Sequence, residues 1–426
     1  MEAADVFTTL PIELKPDPAR TVIRPFGFGY PAAFAEGRPT RAQEVAGRLM
    51  ALEPAMRERM LCLLHKAMRE RHRNVDHVFL RRFEEVKGDL GVEVTAECDR
   101  LLIGAYFSQE YAFESAALFN PSIVSVPDQD PNDDSIRFIL SLRGVGEGHI
   151  SSVTFRSGTW DGGRGLHIDP PSSQGVPPRI EQDDDAGWVR LRSDDSEDIS
   201  ETVIFPILPS QRSGVEDLRL THFTDHDGVE SVIGTYTAFD GKDARQEMLR
   251  GIDVRTYEMR ALTGAMTGYK GMALFPRRIN GQFVMLGRQD SENIWLLRSD
   301  DLHCWETGEI IMRPRYPWEF VQLGNCGSPI EIDEGWLVIT HGVGSVRNYC
   351  LGASLLDKEY PSKLLGRMEL PLVHPSPKER DGYVPNVVYS CGALVHDRTL
   401  LLPYGVADSF TTFATVEIDR VLQAMV

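Results

Sequence analysis

Two adjacent carboxylates occur in the segment Gly214-Val215-Glu216-Asp217-Leu218-Arg219. A carboxyl group can donate a proton to a leaving oxygen, which is one of the steps that break a glycosidic bond. The spacing alone, however, favours a structural role in which Glu216 and Asp217 cap a turn or pair with Arg219. A chemical role for Asp217 therefore needs support from other parts of the chain.

Several basic side chains could hold an anion, and the first of them lies in a glycine-rich segment. Arg143 is part of SLRGVGEGH (residues 141–149). This segment lacks the GxGxxG spacing of a nucleotide loop, and no helical pattern follows it. We therefore expect a turn that directs Arg143 into a pocket. The other candidates for phosphate binding are Arg156, Lys270, Arg288 and His341.

Composition restricts the partners. The chain of 426 residues has a formal net charge of −18, which argues against a nucleic-acid or anionic-membrane surface. In so acidic a protein, clustered basic residues indicate an anionic ligand. The six cysteines form no CxxC pair, and no metal-ligand spacing occurs, so no metal or other cofactor is expected. With an acidic N-terminus and no apolar leader, the sequence predicts a cytoplasmic protein.

The first 100 residues are predicted to form a segment of amphipathic helices. Apolar residues recur at spacings of mostly three or four between residues 41 and 86, and Pro54 divides the pattern into two helices. An apolar stripe must be buried against something. The segment is therefore a candidate pocket lid or the contact surface of a homo-oligomer.

Residues 101–426 are predicted to be all-β. Short segments with β-branched and aromatic residues, such as RFILSL (137–142) and WLVIT (336–340), alternate with glycine, asparagine and aspartate turns. A β-sandwich needs only about 100–200 residues. About five four-stranded blades of a β-propeller suit the longer stretch better, although no WD-type repeat is present.

Four strings, in a consistent order, resemble segments of glycoside hydrolase family 130. They are GVEDLRLT (214–221) followed by TYTAFDG (235–241), YKGMALFP (269–276), GWLVITHGV (335–343), and the stretch from PNVV (385–388) to YGVAD (404–408). The resemblance covers roughly residues 110–426. It implies a five-bladed β-propeller and an enzyme that acts on β-linked mannosides.

The resemblance also implies roles for individual residues. Asp217 is expected to be the proton donor, acting through a hydroxyl of the bound mannose. Lys270 matches a family lysine, and it would bind inorganic phosphate as the co-substrate together with the other basic candidates. The candidates for contact with the oligosaccharide are Asn120, Tyr236, Asp240 and Asp408, while His341 could also touch the sugar.

Two departures from the family pattern affect the expected reaction. Leu218 replaces a usual proline, which should alter the turn and leave the proton donor in place. Gly287-Arg288-Gln289 stands where family phosphorylases commonly have His-Arg-Pro, so one basic phosphate contact is missing or comes from elsewhere.

Three functions follow. The favoured one is an inverting phosphorylase that releases mannose 1-phosphate. The second is an inverting β-mannosidase in which Glu147, Glu292 or Glu319 activates water. The third is a sugar-binding propeller without catalysis, in which Asp217 is only a ligand contact.

Overall fold

The computed structural model describes residues 6–127, 129, 134–183, 187–253, 255–376 and 381–426. The chain forms two compact units. A β unit contains Met1–Pro18, Phe113–Pro171 and Pro178–Val426, and a helical unit contains Ala19–Ala112 and Ser172–Pro177. In the described part of the chain, no helix is long and apolar enough to cross a membrane.

The α-helices are α1 Arg41–Met50, α2 Pro54–Met68, α3 Val75–Val86, α4 Glu97–Tyr106 and α5 Ile418–Gln423. The first fourteen strands are β1 Phe7–Leu14, β2 Thr21–Pro25, β3 Ser108–Ala112, β4 Ala117–Ser125, β5 Ile136–Val145, β6 Ser151–Trp160, β7 Leu166–Ile168, β8 Arg179–Asp183, β9 Trp188–Arg192, β10 Val203–Ile204, β11 Gly214–Thr224, β12 Glu230–Phe239, β13 Ala244–Asp253 and β14 Thr256–Ala261. The others are β15 Ala273–Leu274, β16 Phe283–Gly287, β17 Ile294–Ser299, β18 Thr307–Met312, β19 Gln322–Asn325, β20 Ile330–Ile332, β21 Gly335–Val343, β22 Tyr349–Leu356, β23 Leu364–Arg367, β24 Val388–Tyr389, β25 Leu394–His396, β26 Thr399–Val406 and β27 Phe410–Glu417.

The helical unit contains α1 to α4 and the paired strands β2 and β3. Thr40 starts α1 with a capping box, because its hydroxyl accepts from the Gln43 backbone N–H and the Gln43 side chain accepts from the Thr40 N–H. The predicted break before Pro54 is confirmed, since α1 ends at Met50 and Pro54 is the first residue of α2. Apolar residues of α1, α3 and α4 pack into one cluster that includes Leu49, Phe83 and Leu102.

The β unit consists of antiparallel groups of strands that follow one another along the chain. Strands β4, β5 and β6 form the first group, with β7 and β10 added to β6. Strands β11 to β14 form the second, which continues through β9 to β8. A single parallel pair, Gly214 with Ser151, joins these two groups. The strand-rich character predicted for this part of the chain is confirmed.

The remaining strands form three further antiparallel sheets. One contains β15 to β18, the next contains β19 to β23, and the last contains β24 to β27 together with β1. Strand β1 pairs with β27 from Phe7 opposite Val416 to Leu14 opposite Thr411. The first strand of the chain thus completes the last sheet, and the helical unit begins only after it. These sheets hold the polar residues described next.

Candidate active site

Two β-bulges bring Asn120 and Asp217 together. The pairing of β4 with β5 shifts register between Phe119 and Ser122, and that of β11 with β12 shifts between Glu216 and Arg219. Asn120 and Asp217 lie in these bulges with φ of 49° and 54°, a left-handed conformation that Asn and Asp tolerate better than most residues. The Asn120 amide donates to Asp217 Oδ1 over 2.7 Å.

Cations surround the two carboxylates predicted from sequence. Arg143 donates from Nη2 to Glu216 Oε1 at 2.7 Å and from Nη1 to Asp217 Oδ1 at 3.3 Å. Lys270 Nζ lies 3.0 Å from the other Glu216 oxygen. Glu216, for which the spacing suggested a turn cap or a pair with Arg219, instead binds two of the predicted phosphate-binding side chains.

Arg219 supports this arrangement from the buried side. Its Nη1 donates to the backbone carbonyl of Asp217 over 3.0 Å, so it holds the bulge and does not pair with the Asp217 carboxylate. Its Nε donates to the Cys326 carbonyl at 2.8 Å, and its Nη2 donates to the Tyr389 hydroxyl at 2.9 Å. Because Arg219 is only 1% exposed, it adds a fixed positive charge beneath the site.

The two aspartates of the site differ in protonation. Burial raises the pKa of Asp217, but the charges of Arg143, Arg219 and Lys270 and the hydrogen bond from Asn120 outweigh it and lower that pKa to about 2. Burial and the nearby Asp217 charge raise the pKa of Asp408 to about 6. In the free protein near pH 5, Asp217 is therefore a carboxylate, while Asp408 carries a proton.

Arg288 and His341 belong to the same charged environment as Asp217, because the charges of both Arg288 and Asp217 affect the pKa values of His341 and Tyr389. Arg288 Nη1 lies 3.2 Å from His341 Nε2. A guanidinium cannot accept a hydrogen bond, so Nε2 is the acceptor and the imidazole proton is on Nδ1. Arg288 Nε is buried and has no hydrogen-bond partner.

His341 is a neutral residue in this environment. It is fully buried, and burial followed by the charges of Arg288 and Arg219 holds its pKa well below the usual value. Its ring stacks with Tyr349 and meets Tyr389 edge to face. His341 thus contacts Arg288 as a neutral acceptor, and its direct contact with phosphate or sugar stays a prediction.

Two glycines make room for Arg288. A Cβ on Gly324 would lie 2.3 Å from Arg288 Cδ and 2.4 Å from His341 Cε1. A Cβ on Gly271, which has φ of 91°, would lie 2.7 Å from Arg288 Nε. Both positions therefore require glycine, a requirement that the sequence alone did not reveal.

Backbone strain occurs at site residues themselves. Asn120, Asp217 and Asp408 are among the thirteen described non-glycine residues with positive φ, with values of 49°, 54° and 50°. A residue in this conformation costs of the order of 1–2 kcal/mol and persists only where its surroundings impose it. Such strain is common at ligand sites.

Three predicted site residues are held elsewhere by their own contacts. Tyr236 is 1% exposed, and its hydroxyl donates to Glu247 over 2.6 Å and accepts from Gln211 over 3.0 Å. The expectation that it touches a sugar is wrong, because the alternation along β12 directs its ring into the core. Asp240 accepts from the backbone N–H groups of Lys242 and Asp243 and thereby closes the turn after β12.

Arg156 is also used within the protein. It is 3% exposed and donates to Glu114 over 2.7 Å, forming a buried ion pair. The prediction that its charge is available to phosphate is therefore corrected.

The departure at Gly287-Arg288-Gln289 has a clear structure. Gln289 folds back, is 5% exposed, and donates from its amide to the Met266 carbonyl over 3.1 Å. It leaves Arg288 as the basic residue that this segment contributes. Leu218 is buried at 3% exposure and packs its side chain over Gly234.

The three glutamates proposed as the base for hydrolysis, Glu147, Glu292 and Glu319, lie in different environments. Glu319 is 1% exposed and is fixed by Arg367 at 2.7 Å and by the backbone N–H groups of Arg315 and Tyr316. Glu147 and Glu292 are exposed. Within the described ranges, no group of three or more His, Cys, Asp or Glu residues is arranged to hold a metal ion.

Comparison with known proteins bears on this site. A family model described as beta-1,4-mannooligosaccharide phosphorylase matches residues 195–426, which is more than half of the chain. The chain belongs to glycoside hydrolase family 130. The resemblance predicted from the four strings is confirmed, and the matched range includes Asp217, Lys270, Arg288 and Asp408.

Two curated members of family 130 come from Thermoanaerobacter. A 1,2-beta-oligomannan phosphorylase is 42% identical over 154 residues, which are 36% of this chain and 52% of that protein. A beta-1,2-mannobiose phosphorylase is 34% identical over 219 residues, which are 50% of this chain and 70% of that protein. The first match thus spans about half the length of that relative.

Solved structures of family 130 proteins share the fold. The beta-1,2-mannobiose phosphorylase of Listeria innocua, solved with beta-1,2-mannobiose, superposes with a TM-score of 0.52 at 19% identity, over 72% of this chain and 92% of that one. A glycoside hydrolase structure from Bacteroides ovatus superposes with a TM-score of 0.55 at 20% identity, over 74% and 90% of the two chains.

Proposed function

We propose that this protein is an inverting phosphorylase that cleaves a β-linked mannoside with inorganic phosphate and releases mannose 1-phosphate. One observation carries the proposal. Arg288 Nε is a buried cationic donor without a partner, in a site that also holds Lys270 and Arg143 beside Asp217. An unpaired buried donor of this kind is costly unless a ligand accepts from it. Phosphate has the charge and the acceptor oxygens to do so.

In the proposed reaction, a phosphate oxygen attacks the anomeric carbon while the bond from that carbon to the leaving oxygen breaks. Arg288, Lys270 and Arg143 neutralise the phosphate and orient it for this attack. Asp217 supplies the proton that the leaving oxygen gains, through a hydroxyl of the bound mannose. The new bond forms on the face opposite the old one, so a β-mannoside gives an α-linked phosphate.

Phosphate binding also prepares Asp217 for this role. Two of the cations that lower the pKa of Asp217 to about 2, Arg143 and Lys270, are also proposed to hold the phosphate. A unit negative charge about 5 Å from a carboxylate, at an effective dielectric constant near 20, is worth roughly 3 kcal/mol, or about 2 pKa units. A bound phosphate dianion would therefore move Asp217 towards the protonated form that a donor needs.

Asn120 and Asp408 are the proposed sugar contacts. Asn120 is 7% exposed, and its Oδ1 is buried without a partner, so it can accept from a sugar hydroxyl while its amide holds Asp217. Asp408 interacts with Asp217 and Arg143 through its charge. A carboxyl with a raised pKa can donate to or accept from a hydroxyl, which suits recognition of mannose.

Hydrolysis is the second candidate, because family 130 also contains glycoside hydrolases that target beta-1,2 mannosidic linkages. The unpaired Arg288 donor favours phosphorolysis. A hydrolase needs a second carboxylate as base, and the Glu319 carboxylate is already bound by Arg367 and two backbone N–H groups.

The test is incubation with β-1,2- and β-1,4-linked mannosides, with and without inorganic phosphate, followed by assay for mannose 1-phosphate. Phosphorolysis predicts cleavage only with phosphate. Cleavage that does not depend on phosphate would assign the hydrolase function. Full activity in Asp217→Asn would remove Asp217 as the donor, and binding without turnover would leave a sugar-binding protein.

We further propose that the five antiparallel groups of strands are the blades of a five-bladed propeller. The pairing of β1 with β27 supports this, because a propeller commonly joins both ends of its chain in one blade. A division near residue 100, a cytoplasmic location, and assembly through the N-terminal helices remain predictions.

A further inference from the structure

An exposed aromatic pair lies on loops of the β unit that the reaction above does not use. The rings of His149 and Tyr383 are stacked, with centroids 6.2 Å apart and planes inclined by 26°. Tyr383 is 74% exposed although its ring stacks on a neighbour. One face of Tyr383 is supported by His149, so the other is free to pack against a ligand.

Backbone contacts place this pair beside Asp408. Gly382 approaches Ala407 so closely that a Cβ on it would lie 2.5 Å from Ala407 Cβ. Val384 N donates to the Ala407 carbonyl over 3.0 Å. The residues on both sides of Tyr383 in the sequence, Gly382 and Val384, therefore contact Ala407, which precedes Asp408.

The other ring of the pair comes from the Arg143 side of the site. His149 lies in the short turn that follows β5, and its backbone N–H donates to the Gly146 carbonyl over 3.2 Å. Its φ of 57° shows that this turn is held in a strained conformation. The loops from both sides of the Asp217 and Asp408 pair thus meet in the aromatic stack.

Arg347 adds a polar group to the same region. It is exposed, and Tyr349, two residues further on, donates its backbone N–H to the Asn386 carbonyl over 3.0 Å, which brings this turn beside the segment that carries Tyr383. The Arg347 charge also lowers the pKa of Asp408. An aromatic face next to hydrogen-bonding groups suits a pyranose ring, which has an apolar C–H face and a polar edge.

We propose that the Tyr383 and His149 stack is the platform for the sugar on the leaving-group side, with Arg347 binding its hydroxyls. The proposal rests on the proposed function, since it assigns the second sugar of the same substrate. It specifies a disaccharide or longer oligosaccharide as the substrate, and it makes Tyr383 a determinant of acceptor specificity. The two stacked rings are already held in place in the free protein, so little conformational entropy is lost when a sugar packs against them.

The first experiment measures binding in an Asp217→Asn background, where turnover is blocked, by calorimetry with β-1,2- and β-1,4-mannobiose. Adding Tyr383→Ala should weaken binding of the preferred disaccharide roughly three- to thirtyfold, while Tyr383→Phe should retain it. Tyr360→Ala is the matched control. Tyr360 is 63% exposed and lies just after the C-terminal end of β22, whereas Tyr349, which neighbours the site, lies at the N-terminal end of that strand. Equal affinities of Tyr383→Ala and its parent, or no disaccharide binding by the parent, would overturn the platform.

The second experiment runs the reaction in the synthetic direction, from mannose 1-phosphate and mannose. In Tyr383→Ala, the KM for the acceptor sugar should rise while the KM for mannose 1-phosphate stays within about twofold. A parallel rise in both KM values would contradict a leaving-group subsite. No synthesis by the wild type would count against the phosphorylase, and the binding experiment would still decide the platform.

Discussion

The surroundings of Asp217 stabilise its negative charge, whereas those of Asp408 destabilise it. Replacing each residue by asparagine, which has the same shape and no charge, should therefore change the free energy of unfolding in opposite directions. The ordinary pKa of either group is 3.8. The pKa of Asp408 rises to about 6, which at 1.36 kcal/mol per unit corresponds to about 3 kcal/mol of unfavourable free energy for the charged form. The pKa of Asp217 falls to about 2, which corresponds to about 2 kcal/mol of favourable free energy.

The pH windows also differ. For Asp408 the folded pKa is raised, so its favourable contribution is complete below pH 3.8 and is lost as pH rises through 6. Asp408→Asn should therefore match the wild type near pH 4 and become more stable above pH 6. For Asp217 the folded pKa is depressed, so its contribution is present above pH 3.8 and is lost only as pH falls through 2. Asp217→Asn should be less stable by a constant amount between pH 5 and 8.

The assay is thermal unfolding of the three proteins from pH 4.5 to 8 without phosphate. For a chain of this length the unfolding entropy makes 1 kcal/mol worth about 1 °C, so we expect a gain of up to about 3 °C for Asp408→Asn and a loss of about 2 °C for Asp217→Asn at pH 8. If Asp408→Asn lost stability at pH 8 as Asp217→Asn does, Asp408 would be a favourable charge, and the electrostatic account of the site would fail.

Other variants test separate contacts. Arg288→Ala should raise the KM for phosphate about 10- to 100-fold in initial-rate assays, the range expected for loss of a charged hydrogen bond, and leave the KM for the mannoside little changed; an unchanged phosphate KM would place the anion elsewhere. Tyr236→Phe should lower the melting temperature by about 1–2 °C, because Gln211 and Glu247 lose a shared partner, and should not alter any KM; a large change in sugar KM would return Tyr236 to the site. Proton exchange on phosphate binding near pH 6.5, measured by calorimetry in two buffers of different ionisation enthalpy, should be shifted towards uptake in the wild type relative to Asp217→Asn, because the proton released by the phosphate itself is common to both proteins; equal exchange by both proteins would separate Asp217 from the phosphate.

Local sequence was sufficient for the features that depend on neighbours along the chain. Each of these features depends on a few consecutive residues: the break before Pro54, the change from helix to strand, and the four ordered strings. The strings also identified the family and selected Asp217, Lys270 and Asp408. Such signals survive because turn chemistry and strand alternation act over a few residues.

Side-chain direction was less predictable. Tyr236 and Asp240 stand in the same matched string, but one faces the core and the other closes a turn. A bulge shifts the alternation by one residue, and Asp217 sits in such a bulge. Spacing alone therefore could not tell which residues of a strand face a ligand.

The protonation of the site was decided only by the tertiary structure. Asn120 and Asp217 are 97 positions apart, and Arg219 and Tyr389 are 170 apart, yet each pair is joined by a hydrogen bond. Electrostatic effects depend on such distances and on burial, neither of which a linear pattern contains. The sequence by itself determined the family and the acidic residues, while the fold determined that near pH 5 Asp217 is charged and Asp408 is protonated, and that His341 is neutral.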